Sequence, residues 1–163
     1  MNKAVFLDRD GVINMKGKSY YVHREEEFFF NKGLFEALRY FSERDYLLII
    51  ITNQGGIARR VFTTAHLEKL HRFMISELES AGIKITDIFH CPHHPDIETC
   101  RCRKPGTLMF EKAIKKYDID PVASYMIGDS EIDIIPAEKL GIKGILIPTN
   151  GNMMDLVVKT RII

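Results

Sequence analysis

Five short apolar runs, at residues 4–7, 46–51, 85–89, 124–127 and 144–147, alternate along the chain with segments of helical period. The runs are rich in Ile, Leu and Val and show little alternation, the pattern of strands covered on both faces in a parallel sheet. Between them, Leu34, Ala37, Leu38 and Phe41 recur at i, i+3, i+4 and i+7, and Phe110, Ala113, Ile114 and Tyr117 repeat that spacing. Leu67, Leu70, Met74 and Leu78 mark one stripe of a longer helix that ends at Gly82. A weaker helix spans 130–140, where Pro136 predicts a kink or a restart. This succession predicts a doubly wound α/β fold with a mostly parallel, Rossmann-like sheet, in one domain over residues 1–163. Two long irregular stretches, 15–27 and 92–105, are candidates for functional loops.

Composition narrows the function classes. Lys and Arg number 23 and Asp and Glu 22, so the net charge is +1 and no bulk positive field exists to hold a nucleic-acid backbone. There is no Trp to line a stacking groove for single strands. The longest purely aliphatic run, 47–51, is far short of the roughly 20 residues that cross a bilayer. The apolar run before Asp8, residues 4–7, is too short for a signal-peptide core, so the expectation is a cytoplasmic protein; it is also expected to be a monomer without a membrane partner. The ligand expected is a small charged molecule in a local pocket.

In a sheet of this kind, ligands sit at the carboxyl ends of the strands. The first run is followed by Asp8 and Asp10, the second by Thr52 and Asn53, the third by Cys91 and His93, and the fourth by Asp129. Lys104 begins the next helix at the same edge, and Asp133 stands one turn beyond Asp129. Taken alone, two acids ahead of a glycine read equally well as a loop cap. Clustered acids repel unless a cation joins them, and a hard oxygen-loving ion such as Mg²⁺ suits carboxylates with open positions for phosphate oxygens. A metal beside a carboxylate suggests phosphoryl transfer. Asp8 is then the nucleophile, and Asp10 protonates the leaving oxygen and later deprotonates water. Thr52 and Lys104 supply the hydroxyl and cationic partners of the transferring group.

Asp8-Arg9-Asp10-Gly11, Thr52, Lys104 and Gly128-Asp129 stand in the order of the four motifs of the haloacid dehalogenase superfamily, which the chain resembles. Phe6 to Asn14, Tyr21-Val22-His23, Ile51 to Arg59, Cys91-Pro92-His93-His94-Pro95 and Cys102-Arg103-Lys104-Pro105 are similar to the D-glycero-D-manno-heptose 1,7-bisphosphate phosphatase family. That family is itself related to histidinol-phosphate phosphatases, and the likeness runs from about Phe6 to about Ile147. The resemblance implies hydrolysis of the C7 phosphate of a bisphosphorylated heptose, on a route to lipopolysaccharide precursors, by a fold without a large cap domain. It implies Mg²⁺ held by Asp8, the Asp10 backbone and Asp129. It also implies substrate contacts from Arg103, Asn53 and the Ser19, Tyr20 and Tyr21 stretch, with Ser130 beside the motif aspartate. Arg59 and Arg60 are candidates for a second phosphate, or an ordinary solvent-facing pair. Two other readings are a histidinol-phosphate phosphatase and a phosphosugar-binding protein without turnover; a pure binder has no use for an acid at position 10.

The three cysteines cluster between positions 91 and 102 instead of spreading as a disulfide framework does. Cys91-x-His93 and Cys100-x-Cys102 offer three thiolates and one imidazole, a closed tetrahedral set for structural Zn²⁺. His90 and His94 are rival imidazoles; the Cys-x-His spacing and the family likeness favour His93. Such a site pins the loop that carries Arg103 and Lys104. Gly11 and Gly17-Lys18-Ser19 approach a phosphate-loop pattern, but the spacer is wrong and no helix follows. His66 and His71, five apart on a helix, do not share a face and read as surface or packing residues.

Overall fold

A computed structural model describes residues 1–18 and 20–159. The strands are β1 (Lys3–Leu7), β2 (Tyr46–Asn53), β3 (Asp87–Cys91), β4 (Tyr125–Gly128) and β5 (Lys143–Leu146). The helices are α1 (Leu34–Ser42), α2 (Thr64–Ser80), α3 (Leu108–Tyr117), α4 (Glu131–Lys139) and α5 (Met153–Lys159). The five strands form one sheet in the order β3-β2-β1-β4-β5, and every pairing is parallel.

Alternating side chains of the central strands feed two cores. Val5, Leu7, Leu48 and Ile50 meet Leu34, Leu38 and Phe41 of α1, Leu70, Met74 and Leu78 of α2, and Met153 and Val157 of α5. Ala4, Phe6, Ile49 and Ile51 face the other way, onto Phe110 and Ala113 of α3 and Ile134 and Ala137 of α4. Helices therefore cover both faces, which is why the strands read as continuous apolar runs. The helix stripes expected on α1, α2 and α3 are largely the buried ones.

Three details differ from the sequence expectation. β3 begins at Asp87, two residues later than expected, because its partners are Ile49 to Asn53 of β2. α4 runs through Pro136 as one element, and Pro136 is buried. α5 was not anticipated; its Met153 and Val157 are fully buried beside α1. Among the described residues, no helix is long and apolar enough to cross a membrane.

The chain builds β1 to β3 outward on one side of the sheet, then returns to place β4 on the other side of β1. The strand order reverses between β1 and β4, and a crevice opens there at the carboxyl ends. Register brings Leu7 opposite Ile127, and Asp8 N–H donates to Ile127 O at 3.0 Å. Asp8 and Asp129 thus leave neighbouring strands at that crevice.

Candidate active site

The crevice is lined by Asp8, Asp10, Lys16, Tyr20, Tyr21, Asn53, Gly55, Arg103, Lys104, Asp129, Ser130 and Asp133, among others. At its floor Lys104 is buried, and its Nζ donates to Asp8 Oδ1 at 2.9 Å and to Ile51 O at 2.8 Å. The same ammonium lies 2.7 Å from Asp133 Oδ1. Burial works against its charge, but Asp8 and Asp133 hold its pKa above the ordinary lysine value. Burial lifts Asp8 to about 7; Lys104 pulls it down and Asp133 pushes it further up.

Carboxylate oxygens of Asp8, Asp129 and Asp133 all lie within 4.8 Å of one another. One lysine cannot neutralise three acids, and a buried cluster of net negative charge is the environment that divalent cations fill. The fit to a hard cation rests on that donor set and on a second ammonium, Lys16 Nζ, already drawn to Asp129 Oδ2 at 3.1 Å. Gly11, at φ 89°, makes room for these groups: a Cβ there would lie 2.2 Å from Asp129 Oδ2.

The Asp10 carboxylate stands outside this group. Its Oδ1 accepts from Arg9 Nη2 at 2.8 Å and Asn14 Nδ2 at 3.0 Å, and its Oδ2 accepts from Gln54 Nε2 at 3.0 Å. Burial would raise its pKa, yet Arg9, Asn14 and Gln54 together hold it below the usual carboxylate value. The expectation for Asp10 is metal contact through its main chain, and these hydrogen bonds engage its side chain instead.

Asn53, Ser130, Tyr20, Tyr21 and Arg103 line the crevice, as expected. Thr52 is buried, and its Oγ1 accepts at 2.9 Å from Gln54 Nε2, the same amide that donates to Asp10 Oδ2. Asn53 lines the crevice, but its amide is spent on Lys104: Nδ2 donates to Lys104 O at 3.1 Å and Oδ1 accepts from Lys104 N at 2.9 Å. It positions the lysine. Ser130 lines the wall and opens α4, its N–H donating to Asp133 Oδ2 at 3.2 Å. Tyr20 and Tyr21 stand at the mouth, edge to face with ring centroids 4.7 Å apart. Arg59 is not among the lining residues, and its Nη2 lies 3.5 Å from Asp96 Oδ2. Ser19 lies outside the described residues.

Arg9, Gln54 and Lys16 carried no role in the sequence reading. Arg9 was the most findable, because a cation set between two acids in the chain has a carboxylate within reach, here Asp10 Oδ1. Lys16 is held where it is by Asn150, whose Oδ1 accepts from Lys16 N at 2.8 Å and whose Nδ2 donates to Lys16 O at 3.0 Å. That contact spans most of the chain and leaves no local signal.

The thiol and imidazole cluster forms beside the crevice. Ligand atoms of Cys91, His93, Cys100 and Cys102 lie within 4.8 Å of one another. Cys91 Sγ is 3.7 Å from Cys100 Sγ and 3.5 Å from His93 Nδ1. A zinc tetrahedron with Zn–S of about 2.3 Å and Zn–N of about 2.05 Å has edges of roughly 3.8 and 3.6 Å. Cys91 and Cys102 sulfurs are closer, at 2.9 Å. His93 turns its Nε2 toward Glu98 at 3.8 Å, an outer carboxylate of the sort that orients ligating imidazoles. The rivals are engaged elsewhere: His94 Nδ1 accepts from Asp96 N at 3.2 Å, and His90 lines a groove against α2. From this loop Arg103 N–H donates to Cys100 Sγ at 3.4 Å, and its Nη1 donates to His93 O at 3.2 Å.

Comparison with known proteins agrees with this geometry. Residues 101–160 match a family model described as HAD-hydrolase-like. D-glycero-beta-D-manno-heptose-1,7-bisphosphate 7-phosphatase of Haemophilus ducreyi is 42% identical over 86% of this chain and 80% of that protein. The D-glycero-alpha-D-manno-heptose-1,7-bisphosphate 7-phosphatase of Campylobacter jejuni is 48% identical over 81% of this chain and 74% of that protein. Among solved structures, D,D-heptose 1,7-bisphosphate phosphatase from B. bronchiseptica, in complex with magnesium and phosphate, superposes with a TM-score of 0.84. It is 34% identical and covers 96% of this chain and 86% of its own.

Proposed function

Because the chain belongs to the D-glycero-D-manno-heptose-1,7-bisphosphate 7-phosphatase family, we propose that it hydrolyses the C7 phosphate of such a heptose bisphosphate through a phosphorylated Asp8. The observation that supports this most is the meeting of Asp8, Asp129 and Asp133 around Lys104 at the crevice where the strand order reverses. No feature of the crevice favours histidinol phosphate or binding without turnover.

Asp8 Oδ attacks phosphorus in line, and the bond from phosphorus to the C7 oxygen breaks. The departing oxygen takes a proton from Asp10. Asp10 then removes a proton from water, whose oxygen attacks phosphorus and releases Asp8. Asp10 is poised as the base by Arg9, and the dianionic phosphate brought beside it raises its pKa toward the acid form. Lys104 carries positive charge to the phosphoryl oxygens, and Asn53 holds its main chain on both sides. Arg103 and the tyrosines at the mouth face the sugar and its second phosphate. Asp8, Asp129 and the Asp10 main chain would hold Mg²⁺, which would offset the repulsion between carboxylate and phosphate. The whole chain acts as one domain and as a monomer in the cytoplasm.

Initial rates on the α and β heptose bisphosphates and on histidinol phosphate, with and without Mg²⁺, test the assignment. Turnover of a heptose bisphosphate is expected to exceed that of histidinol phosphate and to require the metal. A preference for histidinol phosphate rejects the assignment.

Zn²⁺ bound by Cys91, His93, Cys100 and Cys102 holds the Arg103–Lys104 pair against the crevice. Stripping it with a strong chelator is expected to lower kcat/KM by about 10²-fold, the cost of a misplacement near 1 Å. Phosphate release and zinc content, followed together, check this. Unchanged turnover in zinc-free protein breaks the link between the loop and Lys104.

A further inference from the structure

Arg9 is fully buried, and its guanidinium is hydrogen-bonded at each of its three nitrogens. Its Nη2 donates to Asp10 Oδ1 at 2.8 Å and to Val22 O at 2.6 Å, and its Nε also faces Asp10 Oδ1, at 3.3 Å. Its third corner, Nη1, lies 3.2 Å from His71 Nε2. A guanidinium only donates, so Nε2 must be the bare, accepting nitrogen of a neutral imidazole. Burial, Arg9 and His90 together push His71 down to about 3, which agrees with a neutral ring. The groups around this imidazole are therefore Arg9, His90 and, through Arg9, Asp10.

Asp10 Oδ1 is crowded by Arg9 and Asn14, whereas Oδ2 receives Gln54 alone. A proton carried by this carboxyl group has room only on Oδ2. Which oxygen is crowded depends on the rotation of the guanidinium, and His71 is the side chain that meets its third corner. Val22 O and Asp10 Oδ1 take the two N–H groups of Nη2, and among the described residues Nη1 is hydrogen-bonded to His71 alone.

We propose that His71 is a positioning residue for acid–base catalysis: by accepting from Arg9 Nη1 it aims the guanidinium at Asp10 Oδ1 and keeps Oδ2 for the travelling proton. The proposal rests on the reading of Asp10 as acid and base. His71 reaches Arg9 from α2, where its neighbours Leu67, Leu70 and Met74 are core residues. The arrangement joins a helix on one face of the sheet to the chemistry at the strand ends.

The test compares His71→Leu, which has no acceptor, with His71→Gln, whose amide oxygen can replace Nε2. kcat/KM is measured for the alkyl phosphate, a heptose bisphosphate, and for an aryl phosphate whose leaving group needs little protonation. Asp10→Asn is measured alongside. His71→Leu is expected to lose about tenfold on the alkyl substrate and less than about threefold on the aryl one, with KM unchanged and His71→Gln restored to near wild type. Should His71→Leu fail to fold, His71→Asn serves, since its shorter amide falls short of Arg9. Equal losses on both substrates, or none, while Asp10→Asn discriminates between them, overturn the role of His71. If Asp10→Asn itself shows no discrimination, the reading of Asp10 is what fails.

Discussion

Changing Asp8 to asparagine is expected to abolish phosphate release, a loss of about 10⁵-fold or more, the scale on which covalent nucleophiles act. The swap is nearly isosteric, and its amide oxygen still accepts from Lys104 Nζ, which lies 2.9 Å from Asp8 Oδ1. The fold is therefore retained, and its pH response is where the variant shows itself. Burial lifts Asp8 from an ordinary 3.8 to about 7, despite Lys104 and with help from Asp133. Between those two values the folded, metal-free protein holds a proton that the unfolded chain has lost. Stability of metal-free wild type accordingly falls as pH rises through that window, and Asp8→Asn lacks this contribution. Urea titrations at several pH values read the slope, and a phosphate assay reads the turnover. An Asp8→Asn protein with wild-type turnover rules out the covalent route.

Lys104→Met is expected to fail in both stability and catalysis. Lys104 is the only described ammonium buried within the acidic cluster, bridging Asp8 at 2.9 Å and Asp133 at 2.7 Å. Its removal leaves two buried carboxylates facing each other, and breaking a buried pair from one side costs about 3–5 kcal/mol. Turnover falls with it, because the phosphoryl oxygens lose their cation. The destabilisation is non-additive with that of Asp8→Asn: in the double variant one of the repelling charges is already gone, so it unfolds closer to wild type than Lys104→Met does. Denaturant midpoints of the four proteins, without metal, close the cycle. Simple additivity contradicts the charge account.

Much of this arrangement was legible from one dimension. Asp8, Asp10, Lys104 and Asp129 stand after strands or before a helix, and a parallel sheet gathers strand ends at one edge whatever its details. Helix stripes were equally plain, since burial on one face imposes its period on the residues. The start of β3 was misplaced because Ile85 and Ile83 are apolar for core packing, while pairing with β2 selects Asp87 to Cys91. Thr52 reads as a phosphate partner from its place after β2, and only the fold shows Gln54 Nε2 bonded both to its hydroxyl and to Asp10 Oδ2. His71 looked like packing, and only contact with Arg9, 62 positions earlier, gives it a polar task.

The amino-acid order alone determined the layered α/β architecture, the carboxylate edge and the cysteine cluster, because periodicity, strand-end placement and ligand spacing are properties of short segments. Tertiary structure decided which way each polar side chain faces there: Asp10 away from the acidic cluster, Asn53 onto Lys104, Lys16 onto Asp129. Those choices follow from hydrogen bonds between residues far apart in the chain. A buried polar group must find its partner in space, and spacing along the chain does not encode which partner that is.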